Sequence, residues 1–315
     1  MIERSSPLAG PATNSVAFAK ASIYSDNMGI AHFIAVDWGT TNRRAYRIEN
    51  GAVVATHRDT LGVTSVPAGG FAQEVDRLRE RLGGGPLLLA GMVGSNRGWI
   101  DAGYVSTPAT LDTLAAAMAH PADGVMIVPG VSHVADGRGD VMRGEEVQLL
   151  GAVAAGLVPA DALLCQPGTH CKWAWMRDGA IAAFVTAMTG EMFALLKAHA
   201  LIGQDMTGPV IAGEAFLAGV REAKRGDMLA SLFAIRPAGL LGLRDRADAA
   251  SFASGLLIGS DCAAHATGAT VHLLADPTLG ALYSCAITEL GGTAVMVDSE
   301  AAFIAGMTRL WEQIA

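Results

Sequence analysis

One local pattern occurs twice in this chain. Residues 33–55 read FIAVDWGTTNRRAYRIENGAVVA, and residues 163–181 read LLCQPGTHCKWAWMRDGAI. Each copy predicts an apolar strand, a Gly-Thr turn and a second strand, followed by an Asn-Gly or Asp-Gly turn into a third strand, because these dipeptides between β-rich runs are strong hairpin signals. The hairpin glycines Gly51 and Gly179 stand 128 positions apart (179 − 51). The repeat predicts two domains of one kind, each with a hairpin tip that can hold phosphate, and a nucleotide between two lobes.

Composition limits the class of protein. The chain has 315 residues, of which 51% are hydrophobic, and this is enough for two domains with sizeable cores. The net charge of −8 argues against a general nucleic-acid surface. No apolar run reaches the ~18 residues that a membrane span needs. The four cysteines lack CxxC or zinc-like spacing, so a reducing cytoplasm is the expected location.

The order of the predicted elements indicates an α/β protein. Residues 1–29 are rich in Ser, Ala and Pro and predict a disordered extension. A first lobe is expected over 30–150, where a β-meander precedes alternating helices and strands, and a second over 151–315. The spacing predicts a helix over 145–155 that carries the chain from one lobe to the other. Ligands gather beyond the carboxyl ends of strands in such sheets, where the glycine-rich loop at 91–99 would lie.

Several motifs resemble those of one kinase family. Asp37-Trp-Gly-Thr-Thr-Asn42 resembles the first phosphate motif of the actin, Hsp70 and sugar-kinase superfamily. The further runs are AGMVGSN at 90–96, MRGEE at 142–146, QLLG at 148–151, PGTHCKW at 167–173 and SGLLIG at 254–259. Together they resemble the 2-dehydro-3-deoxygalactonokinase family over nearly the whole chain from about residue 32. The resemblance implies two ribonuclease-H-like lobes of the actin-like ATPase fold, ATP and Mg²⁺ as cofactors, and phosphorylation of the 6-hydroxyl of 2-dehydro-3-deoxy-D-galactonate in D-galactonate breakdown.

One segment departs from the superfamily. Its members usually carry a glycine-rich adenosine motif on the late strand of the second lobe, where this chain reads LLADPTL at 273–279. Asp276 and Pro277 replace the small residues that let backbone approach adenine or ribose. Either the nucleotide packs differently there, or its affinity is altered. Gly291 and Gly292 are an alternative that lies further along the chain.

The two Gly-Thr turns are the predicted phosphate sites, because exposed backbone amides and hydroxyls can cradle phosphate. The residues assigned to ATP are Gly39, Thr40, Thr41 and Asn42 on one side and Gly168 and Thr169 on the other. Lys172 is a point charge for the phosphates, with an exposed surface lysine as the alternative. Asp37 ends an apolar strand, and Mg²⁺ would offset the cost of burying its carboxylate. The alternative is that Asp37 caps the turn by accepting backbone hydrogen bonds.

The predicted general base lies at the start of the crossing helix, as the resemblance to two-lobed sugar kinases implies. Glu145 is the first candidate and Glu146 the second, since a hydroxyl nucleophile needs a carboxylate to take its proton. Either glutamate is also explained by its favourable interaction with the helix dipole. His170 is a third candidate, because an unperturbed imidazole titrates near neutral pH.

The sugar acid needs partners for its carboxylate and ketone. The predicted partners are the Gly94 backbone, Ser95 and Asn96, with Arg44 and Arg143 as cations for the carboxylate. Three other functions stay open: a sugar-independent actin-like or chaperone-type ATPase switch, a kinase of another 2-keto-3-deoxy sugar acid, and a hydrolase using Cys171 and His170. Adjacent strand residues point to opposite faces, which argues against the hydrolase. Oligomeric state is left open, with a homodimer as one option.

Overall fold

Two mixed β-sheets organise the chain in a computed structural model that describes residues 32–314. The extension predicted at 1–29 lies outside this range. The elements of the first half are β1 (His32–Trp38), β2 (Arg43–Glu49), β3 (Ala52–Asp59), α1 (Phe71–Leu82), β4 (Leu87–Ala90), β5 (Tyr104–Ser106), α2 (Leu111–Ala116), β6 (Ala119–Ala122), β7 (Val125–Ile127), β8 (Gly130–Ala135), β9 (Arg138–Met142) and α3 (Glu145–Ala154).

The second half follows after a short loop. Its elements are β10 (Ala162–Gln166), β11 (Cys171–Arg177), β12 (Ala180–Ala187), α4 (Thr189–His199), α5 (Glu214–Ala223), α6 (Met228–Phe233), α7 (Ile235–Leu240), α8 (Ala249–His265), β13 (Thr270–Leu274), α9 (Pro277–Glu289), β14 (Thr293–Val297) and α10 (Ser299–Ile314). Within residues 32–314, no helix has both the length and the apolar character to cross a membrane.

The two main sheets share one topology. Their strand orders are β3-β2-β1-β4-β7-β6 and β12-β11-β10-β13-β14. In each, an antiparallel meander of three strands continues into two parallel strands, and β6 adds an antiparallel edge to the first sheet alone. The prediction of two like α/β lobes, each opening with a β-meander, is confirmed.

The repeat extends to details of the hairpins. Asn50 and Gly51 have φ of 48° and 75°, and Asp178 and Gly179 have φ of 50° and 78°. Both pairs therefore form the left-handed two-residue turn that Asn-Gly and Asp-Gly favour. The strand register also shifts at equivalent places, after Arg47 in β2 and after Trp175 in β11, again 128 positions apart (175 − 47). Each hairpin bends at the same point, so the two Gly-Thr turns occupy equivalent positions in their sheets.

Several strands and helices were not predicted from the sequence. Strands β5, β8 and β9 form a separate three-stranded sheet inside the first half. Strand β9 reads RGDVM and lacks a clear alternation of apolar and polar residues. Helix α2 ends at Ala116, because the chain turns there into the edge strand β6. Helices α6, α7 and α9 were also not predicted.

The last helix returns to the first half of the chain. Gly151 in α3 lies so close to the Ala302 carbonyl in α10 that a Cβ would not fit between the helices. Trp311 of α10 stacks on Phe33 of β1 with ring centroids 4.9 Å apart. Helix α3 is thereby held against α10, which fixes the direction of its amino end, where Glu145 lies. The bounds predicted for the two lobes stay a prediction.

Candidate active site

The first Gly-Thr turn joins β1 to β2 and is anchored by its carbonyl groups. The carbonyl of Gly39 accepts from the Val63 amide at 3.0 Å, and the carbonyl of Thr40 accepts from the Thr64 hydroxyl at 2.9 Å. Within residues 32–314, the amides of Thr40 and Thr41 donate to no backbone acceptor. The carbonyls thus face the protein, and free amides are left at the tip for an anion.

The second Gly-Thr turn joins β10 to β11 and lies against the start of α4. The carbonyl of Thr169 accepts from the Glu191 amide at 2.9 Å, and Gly190 approaches the Gly168 carbonyl so closely that only glycine fits. The imidazole of His170 bonds the Glu191 carboxylate at 2.7 Å. A cavity of about 450 Å³ lies beside this turn and is lined by Gly168, Thr169 and the exposed face of α4. The structure thus gives His170 a carboxylate partner on α4, and its role as a base stays a prediction.

A row of three side-chain positions crosses each sheet next to its Gly-Thr turn. The two rows, by strand pairing, are Asp37, Arg44 and Arg58 in the first sheet and Gln166, Lys172 and Thr186 in the second. Lys172 thus occupies the position of Arg44, and Gln166 occupies that of Asp37. The first row thus holds an acid and two cations, whereas the second row holds one cation and no acid.

Among residues 32–314, Asp37 has no hydrogen-bonding partner that would explain it as a turn cap. Burial raises the pKa of Asp37, the nearby Arg44 lowers it, and the carboxylate of Glu145 raises it further. No hydrogen bond from the described residues contributes to this balance. The capping alternative therefore finds no support, and the structure brings Asp37 and Glu145 together as two neighbouring carboxylates.

Glu145 faces the region between the lobes. Its Oε2 accepts from the Arg143 amide at 3.1 Å, and its Oε1 lies 4.0 Å from Nζ of Lys172 in the second half of the chain. Helix α3 can begin here because Gly144, with φ of 104°, lies against Gly91, so that a Cβ would stand 3.1 Å from the Gly91 Cα. Glu145 is thus placed beside a cation and beside Asp37.

Glu146 lies on the other side of the helix and is fully buried. Its Oε2 accepts from the Gly144 amide at 2.6 Å, whereas its Oε1 has no partner among the described residues. Burial, and next the charge of Glu145, raise the pKa of Glu146 to about 8. A carboxyl group that keeps its own proton at neutral pH does not accept another, so the environment favours Glu145 as the base. The choice between the two stays a prediction.

Lys172 is buried, with 5% of its surface exposed. Its Nζ donates to the Thr186 hydroxyl at 2.9 Å and to the Val141 carbonyl at 3.2 Å. The alternative of an exposed surface lysine is therefore wrong. The ammonium group lies at the meeting point of β11, β12 and β9.

Arg143 carries a buried, partly unpaired guanidinium group. Its Nη2 donates to the Gly103 carbonyl at 2.9 Å, and its plane covers the Tyr104 ring at 4.4 Å from the ring centroid. Its Nε and Nη1 have no partner in the part of the chain that the structure describes, although the side chain is only 4% exposed. A Cβ on Gly94 would stand 3.0 Å from Nη1. The structure therefore brings Arg143 and Gly94 together and leaves donors that suit a carboxylate.

The other predicted sugar ligands are placed differently. The Ser95 hydroxyl donates to the Met92 carbonyl at 2.7 Å and accepts from the Arg97 amide at 3.2 Å, so it is used within its own loop. Asn96 is exposed next to it, and Arg44 is exposed on β2. Of these side chains, only Asn96 and Arg44 are on the surface and free to reach a ligand without breaking the loop.

The segment that departs from the superfamily starts a helix. Asp276 caps α9 by accepting from the amides of Thr278 at 2.9 Å and Leu279 at 3.2 Å, and Pro277 is its first residue. Leu279 lines both the 450 Å³ cavity and a neighbouring one of about 240 Å³. A capped helix with an apolar side chain therefore replaces glycine-rich backbone at the expected nucleotide site. Neither Gly291 nor Gly292 lines these cavities.

Sequence reasoning missed Asp261, which holds the walls of the smaller cavity. Its carboxylate accepts from Trp173 Nε1 at 2.8 Å, from the Thr189 hydroxyl at 2.8 Å and from the Tyr283 hydroxyl at 3.1 Å. The three partners lie on β11, α4 and α9. No sequence pattern near Asp261 marks it, because its partners are distant in the chain.

The Cys-His pair that the hydrolase alternative requires does not form, as the opposite strand faces of Cys171 and His170 led us to expect. Cys171 Sγ lies 3.5 Å from Cys165 Sγ, and burial raises the pKa of the Cys171 thiol. His170 is turned to Glu191 instead. A nucleophilic cysteine needs a base and a lowered pKa, and Cys171 has neither.

The repeated sheets, their Gly-Thr turns and the carboxylates at the start of the connecting helix define a two-lobed ATPase or sugar kinase of the actin-like class. The family model described as 2-keto-3-deoxy-galactonokinase matches residues 37–310. The chain belongs to this family, which makes it a phosphotransferase with an alcohol acceptor and implies that it uses ATP. The predicted family is confirmed.

Individual relatives agree over most of the chain. The 2-dehydro-3-deoxygalactonokinase of Escherichia coli strain K12 is 36% identical over 294 residues, covering 90% of this chain and 99% of the relative. A candidate 2-dehydro-3-deoxygalactonokinase of Rhizobium meliloti strain 1021 is 36% identical over 293 residues, covering 88% and 95%. A crystal structure of a candidate 2-dehydro-3-deoxygalactonokinase from Sinorhizobium meliloti superimposes with a TM-score of 0.83 at 34% identity, covering 90% of this chain and 99% of the other.

Proposed function

We propose that this protein transfers the γ-phosphoryl group of ATP to the 6-hydroxyl of 2-dehydro-3-deoxy-D-galactonate. The observation that carries the proposal is that Arg143 and Glu145 stand next to each other at the start of α3. One offers unpaired guanidinium donors in a buried setting, and the other offers a carboxylate beside Lys172. The substrate carries its carboxylate at one end and the reacting hydroxyl at the other. A single site with Arg143 for the carboxylate and Glu145 for the hydroxyl would serve both ends.

The two Gly-Thr turns hold the ATP phosphates in this proposal. Free amides at Thr40 and Thr41 support phosphate binding by the first turn. The second turn, at Gly168 and Thr169, borders the cavities that would take the nucleoside. Lys172 neutralises phosphate charge between them. Phosphoryl transfer depends mainly on such positioning and charge stabilisation.

Glu145 acts as the general base and removes the proton of the 6-hydroxyl. Its neighbours support this role, because the Arg143 amide fixes one carboxylate oxygen and leaves the other near Lys172. Glu146 is the second candidate, but its carboxyl group is buried and holds its proton up to about pH 8.

A magnesium ion fits beside Asp37. Asp37 is a carboxylate whose pKa is raised by burial and by Glu145, and a cation there would relieve both effects. Residues 32–314 contain no cluster of three or more metal-ligating side chains, but Mg²⁺ in kinases is commonly held by one or two carboxylates together with substrate phosphates. When bound, the ion would neutralise charge on the transferred phosphoryl group.

The test is the release of ADP by the purified protein with ATP and Mg²⁺. Three reactions are compared: with 2-dehydro-3-deoxygalactonate, with its gluconate epimer and with no sugar. We expect release that depends on the galactonate form. Equal rates with both epimers would favour a kinase of broader specificity for 2-keto-3-deoxy sugar acids. Release that ignores sugar would contradict the proposal in favour of an ATPase switch.

A further inference from the structure

A carboxylate from the first half of the chain contacts the phosphate-binding lysine of the second half through a threonine. Asp140 lies on β9 of the three-stranded sheet, and Thr186 lies on β12. The two carboxylate oxygens of Asp140 accept from the Thr186 amide and from the Thr186 hydroxyl, each at 2.6 Å. The Thr186 hydroxyl also lies 2.9 Å from Nζ of Lys172.

The direction of these hydrogen bonds follows from the chemistry of the groups. A carboxylate only accepts and an ammonium group only donates, while a threonine hydroxyl has one proton to give. The Thr186 hydroxyl therefore donates to Asp140 and accepts from Lys172. A second ammonium proton goes to the Val141 carbonyl at 3.2 Å, which leaves the third for the side of Glu145, 4.0 Å away.

We propose that Asp140 is a positioning residue, which aims the Lys172 ammonium at the ATP phosphates by fixing the Thr186 hydroxyl. This inference rests on the proposed function. A lysine side chain is flexible and loses rotamer entropy when it is fixed. Holding the ammonium in place before ATP binds removes that cost from phosphoryl transfer, and preorganised charge of this kind is effective in catalysis.

The repeat supports a specific role for this contact. The position of Thr186 in the first sheet is taken by Arg58, which pairs with Glu300 of α10 instead. The three-stranded sheet that supplies Asp140 is likewise an addition to the shared topology of the two lobes. The Asp140–Thr186 contact is therefore a feature of the second phosphate turn alone, the one whose cation is a flexible lysine.

The test compares three variants by steady-state kinetics. Thr186→Val keeps the shape of the side chain but removes the hydroxyl, and Asp140→Asn removes one of the two acceptors. We expect both to lower kcat by on the order of 10-fold to 100-fold, with KM for the sugar acid little changed, since small misplacements of catalytic groups cost this much. Thr186→Ser restores the hydroxyl and should recover most of the rate.

The control for the hairpin itself is Asp136→Asn, in the turn between β8 and β9, where an asparagine tolerates the φ of 51°. It should behave as the wild type. The decisive measurement adds Thr186→Val to Lys172→Ala. If Thr186 acts through Lys172, the second change should have almost no further effect, whereas a merely structural role would add its full cost.

Two results would overturn the inference. One is a Thr186→Val enzyme with wild-type kcat, and the other is an equal loss in the Lys172→Ala background. Both results are measured only after the wild-type protein has shown sugar-dependent ADP release. A failure of the proposed function would already appear in the wild type, so it cannot be confused with a failure of this inference.

Discussion

Replacing Glu146 by Gln should change how the stability of the protein depends on pH. Glu146 is fully buried, and its pKa rises from 4.5 in an exposed peptide to about 8 in the fold. Because the folded value is the higher one, the folded state holds a proton that the unfolded state releases. The contribution of Glu146 to the free energy of unfolding is therefore fully present below pH 4.5 and is lost as the pH rises through 8.

The magnitude follows from the two pKa values. Their difference, 8 minus 4.5, corresponds to about 5 kcal/mol at about 1.4 kcal/mol for each pKa unit. Glutamine resembles the protonated acid in shape and can accept the bond from the Gly144 amide. The variant should therefore match the wild type near pH 5 and exceed its free energy of unfolding at pH 9, with a gain of about 1.4 kcal/mol per pH unit between.

Urea unfolding followed by tryptophan fluorescence at pH 5, 7 and 9 measures this difference. Glu80→Gln is the matched control, since Glu80 is an exposed glutamate on α1. A gap between Glu146→Gln and wild type that stays constant with pH would refute the reasoning. The Glu80 variant should give such a constant, small gap.

Four further substitutions test the proposed site. Glu145→Gln should lower kcat by roughly 10² to 10⁴-fold while ATP binding, measured by calorimetry, is spared; normal turnover would remove Glu145 as the base. Asp37→Asn should lower kcat and raise the Mg²⁺ concentration needed for half-maximal rate, and an unchanged Mg²⁺ titration would contradict its role at the metal. Arg143→Lys keeps the charge but loses the planar donor edge, so KM for the sugar acid should rise about tenfold, whereas an unchanged KM would place the carboxylate elsewhere. Asn96→Ala should also raise KM for the sugar acid, and untouched sugar kinetics would show that Asn96 does not bind it.

The parts of the fold that sequence could predict are those set by local rules. The Asn50-Gly51 and Asp178-Gly179 turns require left-handed backbone, and both have it. Helix α1 follows from its apolar spacing and the glycines after it. The start of α9 could also have been predicted, since Asp276 followed by Pro277 is a common helix beginning. We instead compared this segment with a glycine-rich motif and did not predict the helix.

The parts that escaped prediction depend on contacts between distant residues. Lys172 resembles a surface lysine in sequence, but it is buried where it meets β12 and β9. Asp140 and Asp261 stand in stretches without a motif, yet Asp140 accepts from Thr186, 46 positions away, and the partners of Asp261 lie at least 22 positions away. The raised pKa of Glu146 likewise follows from burial. Glu145 and Glu146 are adjacent residues of the same type, so the sequence does not show which of the two is buried.

The two lobes have the same topology but carry different side chains beside their Gly-Thr turns. Equivalent positions beside the Gly-Thr turns hold Asp37 and Arg44 in one lobe and Gln166 and Lys172 in the other. A neutral amide in place of the acid removes a competitor for Lys172, and the Gln166 amide donates to Gln148 of α3 instead, at 2.9 Å. In the proposed reaction the first lobe then supplies the carboxylates that a metal ion and a base require. The second lobe supplies Lys172, and the neighbouring positions Gln166 and Thr186 in the same row of the sheet are neutral. This arrangement suits a surface that binds only phosphate.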